Sequence, residues 1–337
     1  MRAVAYKVPQ PISAETSLID VDLPIPLAKG HDLLVEIKAV SVNPVDVKVR
    51  AGVAPAVDEL KVLGWDAAGV VKAVGPDVTL FRVGDEVFYA GAINRPGSNA
   101  EFHLVDERIV GHKPKSLDFA AAAALPLTSI TAYETLFDRL KVQDPVSGAG
   151  PAILIIGGAG GVGSIAIQIA RTLTDLTIIA TASRPETQEW VKQLGAHHVV
   201  DHGQLIAPQI AALGLGAPAF IFSTTNTGSH ITDIAEIIAP QGRFALIDDP
   251  KTLDVVPFKR KSVSIHWELM FTRPLFGTPD MIEQHKLLDK VSALVDAGKI
   301  RTTLNETVGT INAANLRKAH AMVETGKMKG KVVLAGF

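Results

Sequence analysis

Short apolar runs dominate the first third of the chain. LLVEIKAVSV (33–42), AAGVVKAVG (67–75), DEVFYAG (85–91) and AEFHLV (100–105) are separated by Gly, Pro, Asn and Asp. Such spacing predicts a β-rich barrel or sandwich. From Asp118 the pattern lengthens into an alanine-rich segment and a helix-like run from Leu125 to Leu140. A polar connection, VQDPVSGAGP, follows. Beyond it strands and helices alternate: ILII, the segment after Gly163, TIIATAS, ETQEWVKQLG, HHVVDH, a helix near Gln209, FIFS, a helix near Ile234, and RFALID. This alternation predicts a parallel, doubly wound sheet in an α/β chain. Near the end, Leu287, Leu288, Val291, Leu294 and Val295 mark one face of an amphipathic helix stopped at Gly298. A second helix, from Asn312 to Glu324, gives the closing strand KVVLAGF room to return to the first domain. The predicted organisation is a β domain over 1–124, a dinucleotide domain over 125–265 and a returning part of the first domain over 266–337.

The strand-like ILII runs into GGAGGVG, where Gly158, Gly160 and Gly163 stand as GxGxxG, and Ile165, Ile167, Ile169 and Ala170 then continue into a helical segment. Strand, glycine turn and helix in that order form the Rossmann fingerprint. The glycines permit a tight turn and close approach to a pyrophosphate, and N–H groups at the helix start face the anion. Gly158, Ala159, Gly160, Gly161, Val162 and Gly163 are therefore coenzyme-binding candidates. Where the next strand ends, such folds usually carry an acid for the adenosine ribose, but here stand Ser183 and Arg184. A hydroxyl and a guanidinium suit a 2′-phosphate, which favours NADPH over NADH. The same residues, with Pro185, also serve as an ordinary helix start.

The length of 337 residues suggests two domains, and 47% hydrophobic residues suffice to fill them. Lys plus Arg number 33 against 35 acids, so a net charge of −2 gives no electrostatic footprint for nucleic acid or an anionic membrane. A small neutral partner fits better. With no cysteine, disulfides, thiolate nucleophiles and thiolate zinc sites are excluded. No signal peptide or membrane segment is evident, so the cytoplasm is the expected location.

SVNPVD (41–46), LGWDAAGVVKAVG (63–75), GDEVFYAG (84–91) and AALPLTSITAYETL (123–136), occurring in this order, resemble the medium-chain dehydrogenase/reductase superfamily, quinone oxidoreductase branch. FYAG, RPGSNAEF (95–102) and FTR (271–273) look closest to a bacterial subgroup called zinc-type alcohol dehydrogenase-like. The resemblance implies a GroES-like catalytic domain beside the Rossmann domain, with chemistry in the cleft between them. The positions of the zinc ligands Cys, His and Cys look like Asn43, Trp65 and Leu127 here, so a metal-free protein is expected. Hydride delivery without a metal suits quinones and conjugated enones, whose developing charge spreads onto a distant oxygen.

For that reaction Asn43 is a candidate donor to the oxygen, with Asp46 or Asp66 orienting it or a water. Asn43 before Pro44 also reads as a turn residue, and the two acids as structural groups that bond backbone or pair with Lys48 or Arg50. The resemblance further implies Thr131, with Thr128 nearby, and Phe271 close to the nicotinamide, Lys331 near the cofactor, His202 near the adenosine, and Asn226 as a coenzyme contact. Helix-interior threonines, a strand-end histidine and core packing of Phe271 are the plain alternatives. Trp65, Tyr89 and Phe271 line an apolar cleft or fill ordinary core. Lys48 stands where relatives carry an aromatic residue. A homodimer joined at the last sheet strand, near Ser262 to His266, is implied as well. Two other readings stay open: a true zinc alcohol dehydrogenase, and an NADPH-binding structural or sensing protein without turnover.

Overall fold

A computed structural model describes all residues, Met1 to Phe337. The chain divides into two compact units, 1–130 with 271–337, and 131–270.

The first unit is built on strands. Asp32–Val42 forms its centre, pairing antiparallel with Ala67–Val74, with Phe102–Asp106 and with the closing strand Lys331–Ala335. Glu86–Tyr89 and Val110–His112 extend the sheet on one side, and Leu304–Gly309 lies parallel to the closing strand on the other. The expected return of KVVLAGF is thus seen. In its register Val332 stands opposite Val42, which carries Lys331 to the level of Asn43. The amphipathic helix spans Glu283–Asp296 and buries Leu287, Leu288, Val291 and Val295, and Gly298 beyond it adopts φ +67°. That left-handed conformation favours glycine at a helix stop.

The second unit is a six-stranded parallel sheet in the order His198–Val200, Thr177–Thr181, Gly150–Ile156, Pro218–Ser223, Arg243–Leu246, Ser264–Trp267. Chain order reverses beside Gly150–Ile156, which is where doubly wound sheets open a ligand crevice at their carboxyl ends. Both faces of the strands are buried, Leu154, Ile179, Ile221 and Phe244 on one and Ile153, Ile178 and Phe220 on the other, which explains why these segments read as apolar runs rather than as alternation.

One expected element differs. Instead of one α-helix from Leu125 to Leu140, an α-helix Pro126–Tyr133 passes into a π-helical stretch Glu134–Arg139, where the Leu140 N–H bonds the Thr135 carbonyl at 2.8 Å. Within that stretch Arg139 Nε reaches the buried Glu268 carboxylate at 2.7 Å, and Glu134 hydrogen-bonds the same carboxyl. Burial and the Glu134 charge push Glu268 up to about 8. No helix of the protein is long and apolar enough to cross a membrane.

Candidate active site

In the second unit the glycine turn follows its strand as the spacing requires. The helix Gly161–Leu173 starts from Gly160, which has no side chain to cap it, so its first N–H groups are left for an outside acceptor. A Cβ on Gly163 would lie 2.3 Å from the Gly157 carbonyl and 2.7 Å from Gly158 Cα, and one on Gly158 2.9 Å from Ala180 Cβ. These glycines are therefore fixed by close approach of strand, turn and helix, the arrangement that suits a pyrophosphate. Ala159 lies in the turn, and Val162 in the first turn of the helix.

Around the same carboxyl ends stand Ser183, Arg184, His202 and Asn226. Ser183 is exposed. Arg184 caps the helix Pro185–Gln193 from outside and pairs with Glu186 at 3.1 Å. His202 Nδ1 bonds Thr181 Oγ1 at 2.9 Å, and that oxygen accepts from the Gly157 N–H at 3.0 Å. Asn226, exposed and left-handed at φ 51°, opens the helix Thr227–Ile237. Thr181 went unnoticed in the sequence, because a threonine inside TIIATAS reads simply as a strand former. Asp248 was likewise missed: it accepts from the Thr227 N–H at 2.8 Å and also binds the Thr227 hydroxyl.

The first unit gathers Asn43, Asp46, Asp66 and Lys331 into one buried cluster. Asn43 precedes the helix Pro44–Gly52, with proline at its favoured first position. The Asp46 carboxylate accepts from the Asn43 N–H at 2.8 Å, half of a capping box, and from the Gly64 N–H at 3.0 Å. Asp66 accepts from the Leu127 N–H at 2.8 Å, from Asn43 Nδ2 at 2.9 Å and from the Lys331 ammonium at 3.0 Å. Lys331 Nζ also donates to the Val42 carbonyl at 3.1 Å and to Asn43 Oδ1. Burial pushes Asp46 up to about 7 and raises Asp66 as well, while Lys331 pulls both back down.

These bonds alter two expectations. Lys331 is the cation bonded to Asp66, while Asp46 bonds backbone N–H groups; Arg50 instead binds the Gln10 carbonyl and Glu324. The Asn43 amide is turned into the protein, since its two hydrogens have Asp66 Oδ2, the Trp65 carbonyl at 3.3 Å and the Ser41 carbonyl at 3.4 Å to choose from. Direct donation to a substrate oxygen would require breaking one of them.

Thr128 is buried and donates to the Leu125 carbonyl at 3.1 Å, and the Thr131 carbonyl accepts from the Thr135 hydroxyl at 2.7 Å, both local bonds along the chain. Phe271 lies edge-on to Trp65, ring centroids 6.1 Å apart, and both rings are buried. Tyr89 sits apart from that pair in its bonding, with its hydroxyl on His103 Nδ1 at 3.0 Å.

A β-rich unit with a bonded acid, amide and ammonium cluster, joined in one chain to a parallel sheet with a phosphate-type glycine turn, defines a two-domain nucleotide-dependent oxidoreductase. Residues 29–115 match the alcohol dehydrogenase GroES-like domain and residues 161–292 the zinc-binding dehydrogenase domain, and the chain belongs to the medium-chain dehydrogenase/reductase superfamily. It is 42% identical over 311 residues, 92% of each chain, to a zinc-type alcohol dehydrogenase-like protein of Staphylococcus aureus. It is 29% identical to a 2-methylene-furan-3-one reductase of Solanum lycopersicum, over 96% of this chain and 76% of the relative. The crystal structure of a protein from Rhizobium etli, provisionally named as a zinc-dependent alcohol dehydrogenase, superposes with a TM-score of 0.99 at 69% identity, covering 100% of this chain and 98% of the other.

The residues at the zinc-ligand positions do not fit zinc. Asn43 Oδ1 is taken by the Lys331 ammonium, the Trp65 indole N–H donates to the Ala92 carbonyl at 3.2 Å, and Leu127 offers only hydrocarbon. No group of three or more His, Asp or Glu side chains is placed to hold a metal ion elsewhere.

Proposed function

We propose that this oxidoreductase transfers hydride from NADPH to a quinone or an α,β-unsaturated carbonyl compound without zinc. The observation that carries the reading is the Lys331 ammonium against Asn43 Oδ1 and Asp66 Oδ2. A dication brought to the same place meets like charge, at about 4 kcal/mol per pair of unit charges 4 Å apart near a protein surface. It also finds no thiolate or imidazole to offset that cost. A conjugated acceptor needs the least electrophilic help, because the charge left by hydride addition is delocalised onto a remote oxygen. The tomato relative's name supports this choice, since a 2-methylene-furan-3-one is itself a conjugated enone.

The coenzyme supplies hydride when bound. Gly158, Ala159, Gly160, Gly161, Val162 and Gly163 would hold its pyrophosphate, Ser183 and Arg184 the 2′-phosphate, and His202 and Asn226 the adenosine side. Thr128, Thr131 and Phe271 are assigned to the nicotinamide on resemblance alone. Asn43, Asp46, Asp66 and Lys331 act as positioning residues: they fix the start of the helix Pro44–Gly52 and the backbone at Gly64, Trp65 and Leu127.

The test is a panel of quinones, enones, ketones and alcohols with both nicotinamides, run on metal-stripped protein. Quinone or enone reduction with NADPH, unchanged by added zinc, is the expected result. Activity confined to simple alcohols and restored by zinc would overturn the reading, and tight NADPH binding with no acceptor consumed would favour a non-catalytic role. We further propose a homodimer, supported by the open outer edge of Ser264–Trp267, where Trp267 is 53% and Leu269 51% exposed. Light scattering showing a monomer at working concentration would remove it.

A further inference from the structure

We infer that His202 and His230 are specificity-determining residues that sense the 2′-phosphate together: binding of the phosphorylated coenzyme loads one proton onto this imidazole pair, and binding of the unphosphorylated one does not. The inference rests on the coenzyme reading above and deepens it. Three observations place the pair. First, His202 follows the strand His198–Val200, whose last residue pairs with Thr181 at the carboxyl end of the neighbouring strand. It is therefore part of the same rim as the glycine turn. Second, the Thr181 hydroxyl, which accepts from the Gly157 N–H, lies 2.9 Å from His202 Nδ1, where it can donate to a bare Nδ1 or accept from an Nδ1–H. Third, His230, in the helix Thr227–Ile237, brings its ring to a centroid distance of 6.4 Å from His202.

The charges facing the pair set its response. His202 faces His230, Asp201 and Arg184, and His230 faces Asp233 and Asp248 as well as His202. Burial is the largest influence on both rings and holds both below the ordinary histidine value; Arg184 and the other ring add to this at His202. Asp201, acting on His202, and Asp233 and Asp248, acting on His230, pull the other way. Both rings are thus held toward their neutral forms. A phosphate monoester brings a charge of about −1.5 to −2 at pH 7. Set against Arg184, it cancels the cation that faces His202 and adds negative charge of its own, and an opposite charge nearby favours the protonated ring. If His202 is the ring that charges, its Nδ1–H donates to Thr181 Oγ1, so the contact survives. Repulsion between the two rings limits the uptake to one proton.

Titration calorimetry of the full chain, in buffers of different ionisation enthalpy at pH 7.5, reads proton uptake directly. NADPH binding is expected to take up between about 0.3 and 1 proton more than NADH binding, and NADPH affinity to fall by up to about tenfold per pH unit above neutrality while NADH affinity stays level. His202→Gln and His230→Gln should each reduce the excess, and the double variant should abolish it, with thermal melting confirming that each is folded. Equal uptake for the two coenzymes, or an excess that persists in the double variant, overturns the inference. If NADPH is preferred but without excess uptake, the sensor fails and the coenzyme reading stands; if NADH binds as tightly as NADPH, both fail.

Discussion

The glycine turn of the second unit leaves the first N–H groups of its helix without internal acceptors, whereas the Lys331 cluster of the first unit spends nearly all of its donors inside the protein. Lys331 has three acceptors for three hydrogens, the Asn43 amide is fully engaged, and both Asp46 oxygens accept backbone N–H groups. One region is built to receive a ligand and the other to hold its own backbone still. Polar residues at a candidate site therefore divide by where their hydrogens go, not by residue type. On the proposed function, that division makes Asn43, Asp46 and Asp66 a scaffold for chemistry performed by other groups.

The comparison breaks most readily at Lys331. Lys331→Met leaves Asp66 buried against its lost partner, and urea unfolding should show a loss of about 3–5 kcal/mol. Stability unchanged within about 1 kcal/mol, with turnover lost, would mean that the ammonium serves the reaction instead. Asp46 gives a pH signature of the same scaffold. Its folded value, pushed up to about 7, lies above that of an unfolded aspartate, so the native state holds a proton that the unfolded chain releases. Its contribution is most favourable below about pH 4 and is lost progressively as pH rises to about 7. Relative to wild type, Asp46→Asn should gain on the order of 2–4 kcal/mol across that interval, and a flat difference between the two unfolding series would refute the assignment.

On the receiving side, Gly163→Ala drives a Cβ to 2.3 Å from a carbonyl that cannot move freely. We expect a stability loss of about 1–3 kcal/mol together with loss of measurable nucleotide binding. Binding that survives would show the turn to be a packing device only. Arg184→Asp should act on selectivity alone, lowering the NADPH/NADH ratio of kcat/KM by about 10–100-fold, the worth of a charge-assisted phosphate contact. An unchanged ratio would release Arg184 from that role.

Legibility in the sequence followed the same division. The glycine turn could be read because its parts are contiguous: strand, Gly158 to Gly163 and helix lie in one stretch, and each spacing has a local steric reason. The two-domain order and the closing strand were legible for a related reason, that period and length are local properties. The Lys331 cluster was not, since Lys331 and Asn43 are 288 positions apart and only strand register brings them together. Read locally, Asp46 points to Lys48 and Arg50, the cations nearest to it in sequence. His230 was invisible for a different reason: a histidine in the first turns of a helix carries no pattern, and its meaning depends on a ring from the neighbouring strand end. The π-helical stretch had no signal either, because Glu134 to Arg139 satisfies helical periodicity whichever turn it adopts.

The strand Lys331–Ala335 lies against Asp32–Val42, near the other extreme of the chain. During synthesis, at roughly 5–20 residues per second, tens of seconds pass between emergence of those two strands. The nascent first unit must wait with its central sheet incomplete and Asp66 without its cation. The second unit, whose six strands are contiguous in the chain, is free to fold on the ribosome in the interval, and Lys331–Ala335 then completes a sheet begun about 290 residues earlier.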